Sequence, residues 1–119
     1  MPNPTRIKEI SYNFSIRIVK LCSLLNAEKE YTLAKQLLRA GTSIGANVAE
    51  ATAAQSRKDF LNKMSIASKE ARETQYWLEL INDSGITKAD LTSYLTDIRS
   101  IVNILASIVK STKENMNTI

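Results

Sequence analysis

Four glutamates come nearest to a pattern that could bind metal or catalyse a reaction. Glu50, Glu70, Glu73 and Glu79 lie in stretches with helical periodicity, and helical bundles hold di-iron sites when Glu-x-x-His motifs complete the ligand set. The chain contains no histidine, so that ligand set is incomplete and the usual general base near neutral pH is missing. We therefore expect no catalytic residue, no metal site, no cofactor and no enzymatic activity.

The same carboxylates have simpler structural interpretations. Glu70 and Glu73 are expected to face solvent or to pair with nearby cations such as Lys63, Lys69 or Arg72. Glu50 and Asn47 flank a run of small residues. We expect these two to be buried polar residues, with Glu50 linked to a basic residue of the third helix.

Cys22, the only cysteine, lies within the apolar stretch IRIVKLCSLL. A small buried thiol is a common component of a protein core, whereas a reactive thiol needs an exposed, cationic setting. The first residues, MPNPTRIKEI, lack the basic and apolar segments of a secretion signal, and no apolar run approaches the ~20 residues of a membrane span. We therefore expect a cytoplasmic protein that does not contact membranes.

Positive charge is concentrated in the first half of the chain. Residues 1–63 carry ten Lys/Arg against five Asp/Glu, and residues 64–119 carry six against seven, within a total of +4. Such asymmetry is typical of contact with an anionic partner, although +4 is also ordinary for a small domain. The candidate RNA- or DNA-binding residues are Arg6, Arg17, Lys20, Lys35, Arg39, Arg57, Lys58 and Lys63.

The elements that must position these residues are helices. Both prolines lie in the first four residues and only three glycines occur, so the chain has few helix breakers. Apolar residues recur at alternating threes and fours along four segments. One domain over residues 1–119 follows, with helices at about 4–26, 32–54, 57–83 and 88–112.

The predicted boundaries rest on capping residues. Asn3, Thr32, Ser56 and Thr87 are the expected N-caps, the last two with an aspartate three residues later, and Gly85 is expected to end the third helix. The polar tail KSTKENMNTI, which starts at Lys110, is expected to fray. Short connections of this kind predict an antiparallel up-down four-helix bundle.

Gly41 and Gly45 interrupt the second helix, where each glycine costs up to ~1 kcal/mol relative to alanine. Their spacing of four places both on one face, which predicts close packing against another helix. A phosphate-binding loop is the weaker alternative, because it requires a lysine-bearing glycine turn after a strand. Wide apolar rows on the third and fourth helices predict surface buried between subunits. These rows include Trp77 and Leu80 on the third helix and Leu95, Val102 and Val109 on the fourth.

Two segments in this order resemble a known family. QLLRAGTSIGANVAEATAAQSRKDF, starting at Gln36, and KEARETQYWLELI, starting at Lys69, are similar to the bacterial four-helix bundle proteins encoded in 23S rRNA intervening sequences. The resemblance extends from about Arg17 to Ile108 and is strongest from Gln36 to Ile81.

This resemblance implies a four-helix protomer that assembles into a homopentameric ring, in a family whose activity is mostly unestablished. Similar proteins are accessory variability determinants of diversity-generating retroelements, in which a basic pentamer binds nucleic acid and a reverse transcriptase. Two functional hypotheses remain open. The first is a basic, non-catalytic scaffold that binds nucleic acid, and the second is a structural or protein-interaction scaffold that does not.

Overall fold

The computed structural model describes residues 4–117, which form four helices and, within that range, no strand. Neighbouring helices run antiparallel, because residue numbers that increase along one helix decrease along the stretch of the next helix that it contacts. Each helix packs against the preceding one, and the first also contacts the fourth, which closes an elongated up-down bundle. The helices are α1 (Pro4–Ala27), α2 (Tyr31–Thr52), α3 (Arg57–Ser84) and α4 (Thr92–Asn117).

The core is built from the apolar stripes that the sequence periodicity predicts. One stripe from each helix is buried almost completely, because residues three and four apart share a helix face. Most side chains of the predicted stripes belong to this core, whereas Ile10, Leu33, Phe60 and Tyr94 lie half-buried at its edge. The largest fully buried side chains include Ile18, Leu25, Leu37, Ile44, Met64, Leu78, Ile98 and Leu105.

The ends of α3 agree with their predicted caps. The Ser56 hydroxyl accepts a hydrogen bond of 3.0 Å from the backbone N–H of Asp59, which satisfies one of the free donors of the first turn. At the other end, Gly85 has φ of 66° and donates its backbone N–H to the carbonyl of Asn82. A glycine adopts this left-handed conformation without the cost that a side chain adds.

The N-terminal boundary of α2 differs from the prediction. Helix α2 begins at Tyr31, with Glu30 as an N-cap residue that makes no side-chain cap bond. Thr32 therefore lies inside the first turn and is not the cap. The C-terminal end also differs slightly, because α2 stops at Thr52 rather than Ala54. The predicted cap of the first helix, Asn3, lies outside the described residues.

Helix α4 is displaced toward the C-terminus relative to the prediction. Thr87 is not its N-cap, because the Thr87 hydroxyl donates to Glu28 and accepts from the backbone N–H of Ala89 within the preceding loop. The helix starts at Thr92. It also continues to Asn117, with Thr112 buried, so the prediction that the tail from Lys110 frays is wrong over the described residues.

The turn after α1 contains a structural motif that the sequence did not reveal. The backbone N–H of Glu30 donates to the carbonyl of Leu25, and that of Lys29 donates to Asn26, each at 2.9 Å. This pair of bonds is the Schellman motif, whose left-handed position is usually occupied by glycine. Here Lys29 occupies it, with φ of 66°.

Candidate interaction surfaces

Gly41 and Gly45 lie where α2 approaches α1. A Cβ atom added at Gly41 would lie 2.8 Å from Cγ2 of Ile18, closer than two such carbons can stand. One added at Gly45 would lie 3.0 Å from Oγ of Ser15 and 3.3 Å from the carbonyl oxygen of Ser11. The missing side chains thus let the two helices pack closely, which accounts for two glycines in the interior of a helix.

An apolar stripe on α1 faces solvent beside this seam. The stripe consists of Tyr12, Ile16 and Val19, at spacings of four and three. Each is the residue that comes directly after one of the α1 residues in contact with α2, which are Ser11, Ser15 and Ile18. The three stripe residues therefore lie on the outer side of α1, and their exposed fractions of 65%, 40% and 51% agree with that placement. Large apolar side chains in a continuous exposed stripe are typical of an interaction surface.

The adjacent surface of α2 is made mostly of small residues. Thr42 and Ala46 follow the two glycines by one residue, and Ala49 and the exposed Leu38 continue the same outer side. Because α1 and α2 are neighbours, the bulky stripe and the small-residue stripe form one surface. We call the surface made by Tyr12, Ile16, Val19, Leu38, Thr42, Ala46 and Ala49 the hairpin face.

The surplus apolar rows that the sequence predicted on α3 and α4 are largely used within the protomer. Periodicity placed the surplus apolar rows on α3 and α4, but the Val102 and Val109 row of α4 packs against the core of the same protomer. The outer side of α4 carries polar side chains, including Thr96 and Asn103. Only Leu80 of the predicted α3 row is exposed, since Trp77 is half-buried with its Nε1 donating to Glu73.

Carboxylates on α3 hold the seam between α2 and α3. Arg39 of α2 forms an ion pair with Glu73 and a hydrogen-bonded pair of 3.2 Å with Glu70. These partners differ from the predicted Lys63, Lys69 and Arg72. The reason is that Glu70 and Glu73 lie on the side of α3 that faces α2.

Glu50 does contact a basic residue of the third helix, but not in a buried setting. Its carboxylate lies 3.4 Å from Nζ of Lys63, and the two side chains are 61% and 36% exposed. Glu50 is thus a surface partner, contrary to the expected burial. Asn47 is half-buried and donates to the backbone carbonyl of Ser43 at 2.9 Å, within its own helix.

Arg17 bridges α1 to α4. Its guanidinium forms an ion pair with Asp97, donates to the Ser93 hydroxyl at 2.6 Å, and lies 4.2 Å from the ring centroid of Tyr94. Three partners of different kinds satisfy one cation, which is a role that the planar guanidinium fits better than an ammonium group. This arrangement gives Arg17 a structural role between two helices.

The eight predicted nucleic-acid-binding residues do not form one surface. Three of them, Arg17, Arg39 and Lys63, are paired with carboxylates at helix seams. The other five have no ion pair within residues 4–117: Arg6, Lys20, Lys35, Arg57 and Lys58. Helices α1 and α3 are diagonal in the bundle, so cations on their outer sides point away from each other.

The structure also bears on the thiol, on metal binding and on membrane spans. Cys22 belongs to the hydrophobic core, and burial raises the pKa of its thiol to about 11. Within residues 4–117 no group of three His, Cys, Asp or Glu side chains is placed to hold a metal ion. Over the same range, no helix combines the length and apolar character that a bilayer span requires.

Comparison with known proteins identifies the family. One solved structure, a protein of unknown function from the S23 ribosomal protein family of Bacteroides thetaiotaomicron VPI-5482, is 49% identical, with a TM-score of 0.82. The similarity covers 90% of this chain and 97% of that one. No curated protein matches the chain. The model of the 23S rRNA-intervening sequence proteins matches residues 4–107, and the chain therefore belongs to that family.

Proposed function

We propose that this protein is a non-catalytic scaffold of the cytoplasm that assembles with copies of itself and binds nucleic acid through the phosphate backbone. The hairpin face is the observation that carries the proposal. It places three large exposed apolar side chains of α1 beside small residues of α2. Surface of this kind is costly to leave in water and is stabilised when a partner covers it.

The occupant that best fits the hairpin face is a second copy of the chain. Its α1 half is a ridge of Tyr12, Ile16 and Val19, and its α2 half is a shallow stripe containing Ala46 and Ala49. The ridge of one copy can pack against the small-residue stripe of the next. Such a head-to-tail contact generates a closed ring when the rotation between copies closes. A homopentamer is the assembly that we propose.

Assembly gives a function to a modest charge. Each chain carries +4, and five copies in a ring combine their fields in one particle. Cations without carboxylate partners, such as Lys20 and Lys35, remain available to phosphate groups. Several weak phosphate contacts on one particle add to strong, salt-sensitive and largely sequence-independent binding.

The non-catalytic part of the proposal is supported by the partners of the candidate carboxylates. Glu50, Glu70, Glu73 and Glu79 each face a cation on a neighbouring helix. Their positions are those of ion pairs that align helices.

The assembly is tested by placing a charge in the hairpin face. Val19→Glu should dissociate the particle, because a carboxylate buried at an apolar contact is left without a partner. Leu24→Glu is the matched control, since Leu24 is a similarly exposed apolar residue of α1, at 45%, that lies outside the face. Sedimentation velocity measures both variants and the wild type, and circular dichroism verifies their helix content.

The wild type and the Leu24→Glu variant should sediment as the same oligomer, and the Val19→Glu variant as a folded chain of 13.3 kDa. A monomeric wild type would overturn the proposed self-assembly. An oligomeric Val19→Glu variant with unchanged mass would show that copies meet through another surface.

A further inference from the structure

A strip of cationic and polar side chains runs along the outer side of α3. Its six members recur at spacings of four and three, which places them in one line on the helix. The line lies opposite the buried stripe that contains Met64, Ala71 and Leu78. We call it the α3 strip, and its members are Lys58, Asn62, Ser65, Lys69, Arg72 and Tyr76.

The α3 strip contains three cations and no carboxylate. None of Lys58, Lys69 and Arg72 has an ion-pair partner within the part of the chain that the structure describes. In contrast, the cations at helix seams are all neutralised there: Arg17 by Asp97, Arg39 by Glu70 and Glu73, Lys63 by Glu50 and Arg99 by Glu79. Along the strip the helix thus separates its charges, with Glu70, Glu73 and Glu79 in the seams and unneutralised cations on the outside.

The surface along the strip is concave. An open depression of about 430 Å³ is lined by Lys58, Asn62 and Ser65 together with Lys113 of α4. A second, of about 290 Å³, shares Ser65 and continues past Lys69 to Arg72. Lys113 adds a fourth cation. Asp59 borders the first depression and is the only carboxylate lining either one.

Tyr76 ends the strip with an exposed aromatic ring. Its side chain is 57% exposed and lies one helical turn beyond Arg72. Its ring makes a T-shaped contact with the ring of Trp77, with the two centroids 5.1 Å apart and an interplanar angle of 73°. Trp77 is itself fixed by its hydrogen bond to Glu73. The Tyr76 ring is therefore in contact with a fixed neighbour while more than half of its side chain stays exposed.

We propose that the α3 strip binds a single strand of nucleic acid, with phosphate groups on Lys58, Lys69 and Arg72 and a base stacked on Tyr76. This inference rests on the proposed nucleic-acid binding and assigns it to a surface. A row of cations that ends in an aromatic platform is the combination that single-strand binding requires, because phosphates follow the charge and every base has a face to stack. The strip is about 27 Å long.

The sole tryptophan provides a direct readout. A base stacked on Tyr76 changes the surroundings of Trp77, so titration with a short oligothymidylate should quench tryptophan fluorescence at low salt. High salt should reverse the quenching. The same strand annealed to its complement should bind more weakly, because paired bases cannot stack on the ring.

Variants separate charge from stacking. Lys69→Glu combined with Arg72→Glu should weaken binding at least tenfold more than the control, Lys8→Glu with Lys110→Glu, which makes the same change in net charge at two exposed lysines outside the strip. Tyr76→Ala should weaken binding by about fivefold to a hundredfold, whereas Tyr76→Phe keeps the ring and should bind like the wild type. Fluorescence anisotropy of a labelled strand measures affinity in every variant.

The outcomes distinguish this inference from the proposed function. A wild type that binds neither strand nor duplex at low salt overturns both. If the wild type binds but the control loses as much affinity as the Lys69/Arg72 variant, the α3 strip is overturned and nucleic-acid binding stands. Equal binding of Tyr76→Ala and wild type, or preference for the duplex, overturns the single-strand assignment.

Discussion

Replacing Gly41 with alanine tests whether close packing between α1 and α2 explains the glycine. At an exposed helical position, this change stabilises a protein by about 1 kcal/mol, because alanine has the higher helix propensity. Here the new Cβ would lie 2.8 Å from Cγ2 and 3.1 Å from Cγ1 of Ile18, which is fully buried. Neither carbon is the free end of a flexible side chain, so either Ile18 must leave its position in the core or the two helices must move apart.

Overpacking of this kind costs about 1–3 kcal/mol. Subtracting the propensity gain leaves Gly41→Ala between neutral and about 2 kcal/mol less stable than the wild type. Urea denaturation followed by circular dichroism measures this difference at fixed protein concentration. The difference between Lys35→Ala and Lys35→Gly calibrates the propensity effect, because Lys35 is exposed on the same helix and lies outside the hairpin face.

A double-mutant cycle isolates the contact itself. Ile18→Ala alone should cost about 2–5 kcal/mol, because it empties part of the core. In the Gly41→Ala background, Ile18→Ala should destabilise the protein by at least about 1 kcal/mol less than it does in the wild type. The new Cβ then occupies the space that Ile18 vacates, and the clash is gone. Gly41→Ala that stabilises the protein by about 1 kcal/mol, with no coupling to Ile18, would refute the packing explanation.

Three further predictions concern residues outside the proposed surfaces. Cys22, 2% exposed with a pKa of about 11, should react with an aromatic disulfide reagent only in urea; equal rates in native protein would place the thiol at the surface. Hydrogen bonds from Thr87 and the backbone N–H of Lys88 lower the pKa of Glu28 below 4.5, so its contribution to stability is present above that pH and is lost as the pH falls through the lower folded-state pKa. Between about pH 6 and about pH 3, the unfolding free energy of Glu28→Gln should therefore fall less steeply with decreasing pH than that of the wild type. The same pH dependence in both proteins would exclude this contribution. Lys29→Gly should raise the unfolding free energy by about 1 kcal/mol in urea titrations, because glycine takes the left-handed conformation without a Cβ clash; a loss of stability would contradict the Schellman assignment.

The helices and their buried stripes could be predicted from the sequence because both depend on local periodicity. Apolar residues at spacings of three and four identify a buried face whichever helix covers it. The caps at Ser56 and Gly85 were likewise local. The start of α4 was not, because Thr87 is engaged by Glu28, which is distant in the sequence and belongs to the turn after α1.

The interaction surfaces could be predicted only in part, since they depend on how helices face each other. Counting charges by halves pointed to the first 63 residues, but three of the predicted cations are neutralised at seams. The second half has a net charge of −1, yet its Glu70 and Glu73 lie in a seam and leave Lys69 and Arg72 unneutralised. The net charge of this half does not show that its carboxylates and its cations lie on different sides of α3. That arrangement depends on which side of α3 faces α2.

The central claim, a self-assembling scaffold that binds nucleic acid, is tested most directly by light scattering of the purified protein at low and at high salt. The measurement is made with and without a mixed-sequence DNA or RNA strand. We predict a particle of five times the 13.3-kDa chain mass that gains mass with the strand at low salt and releases it at high salt. A stable monomer would contradict self-assembly. An oligomer whose mass is the same with and without the strand would contradict nucleic-acid binding and favour a scaffold for protein partners.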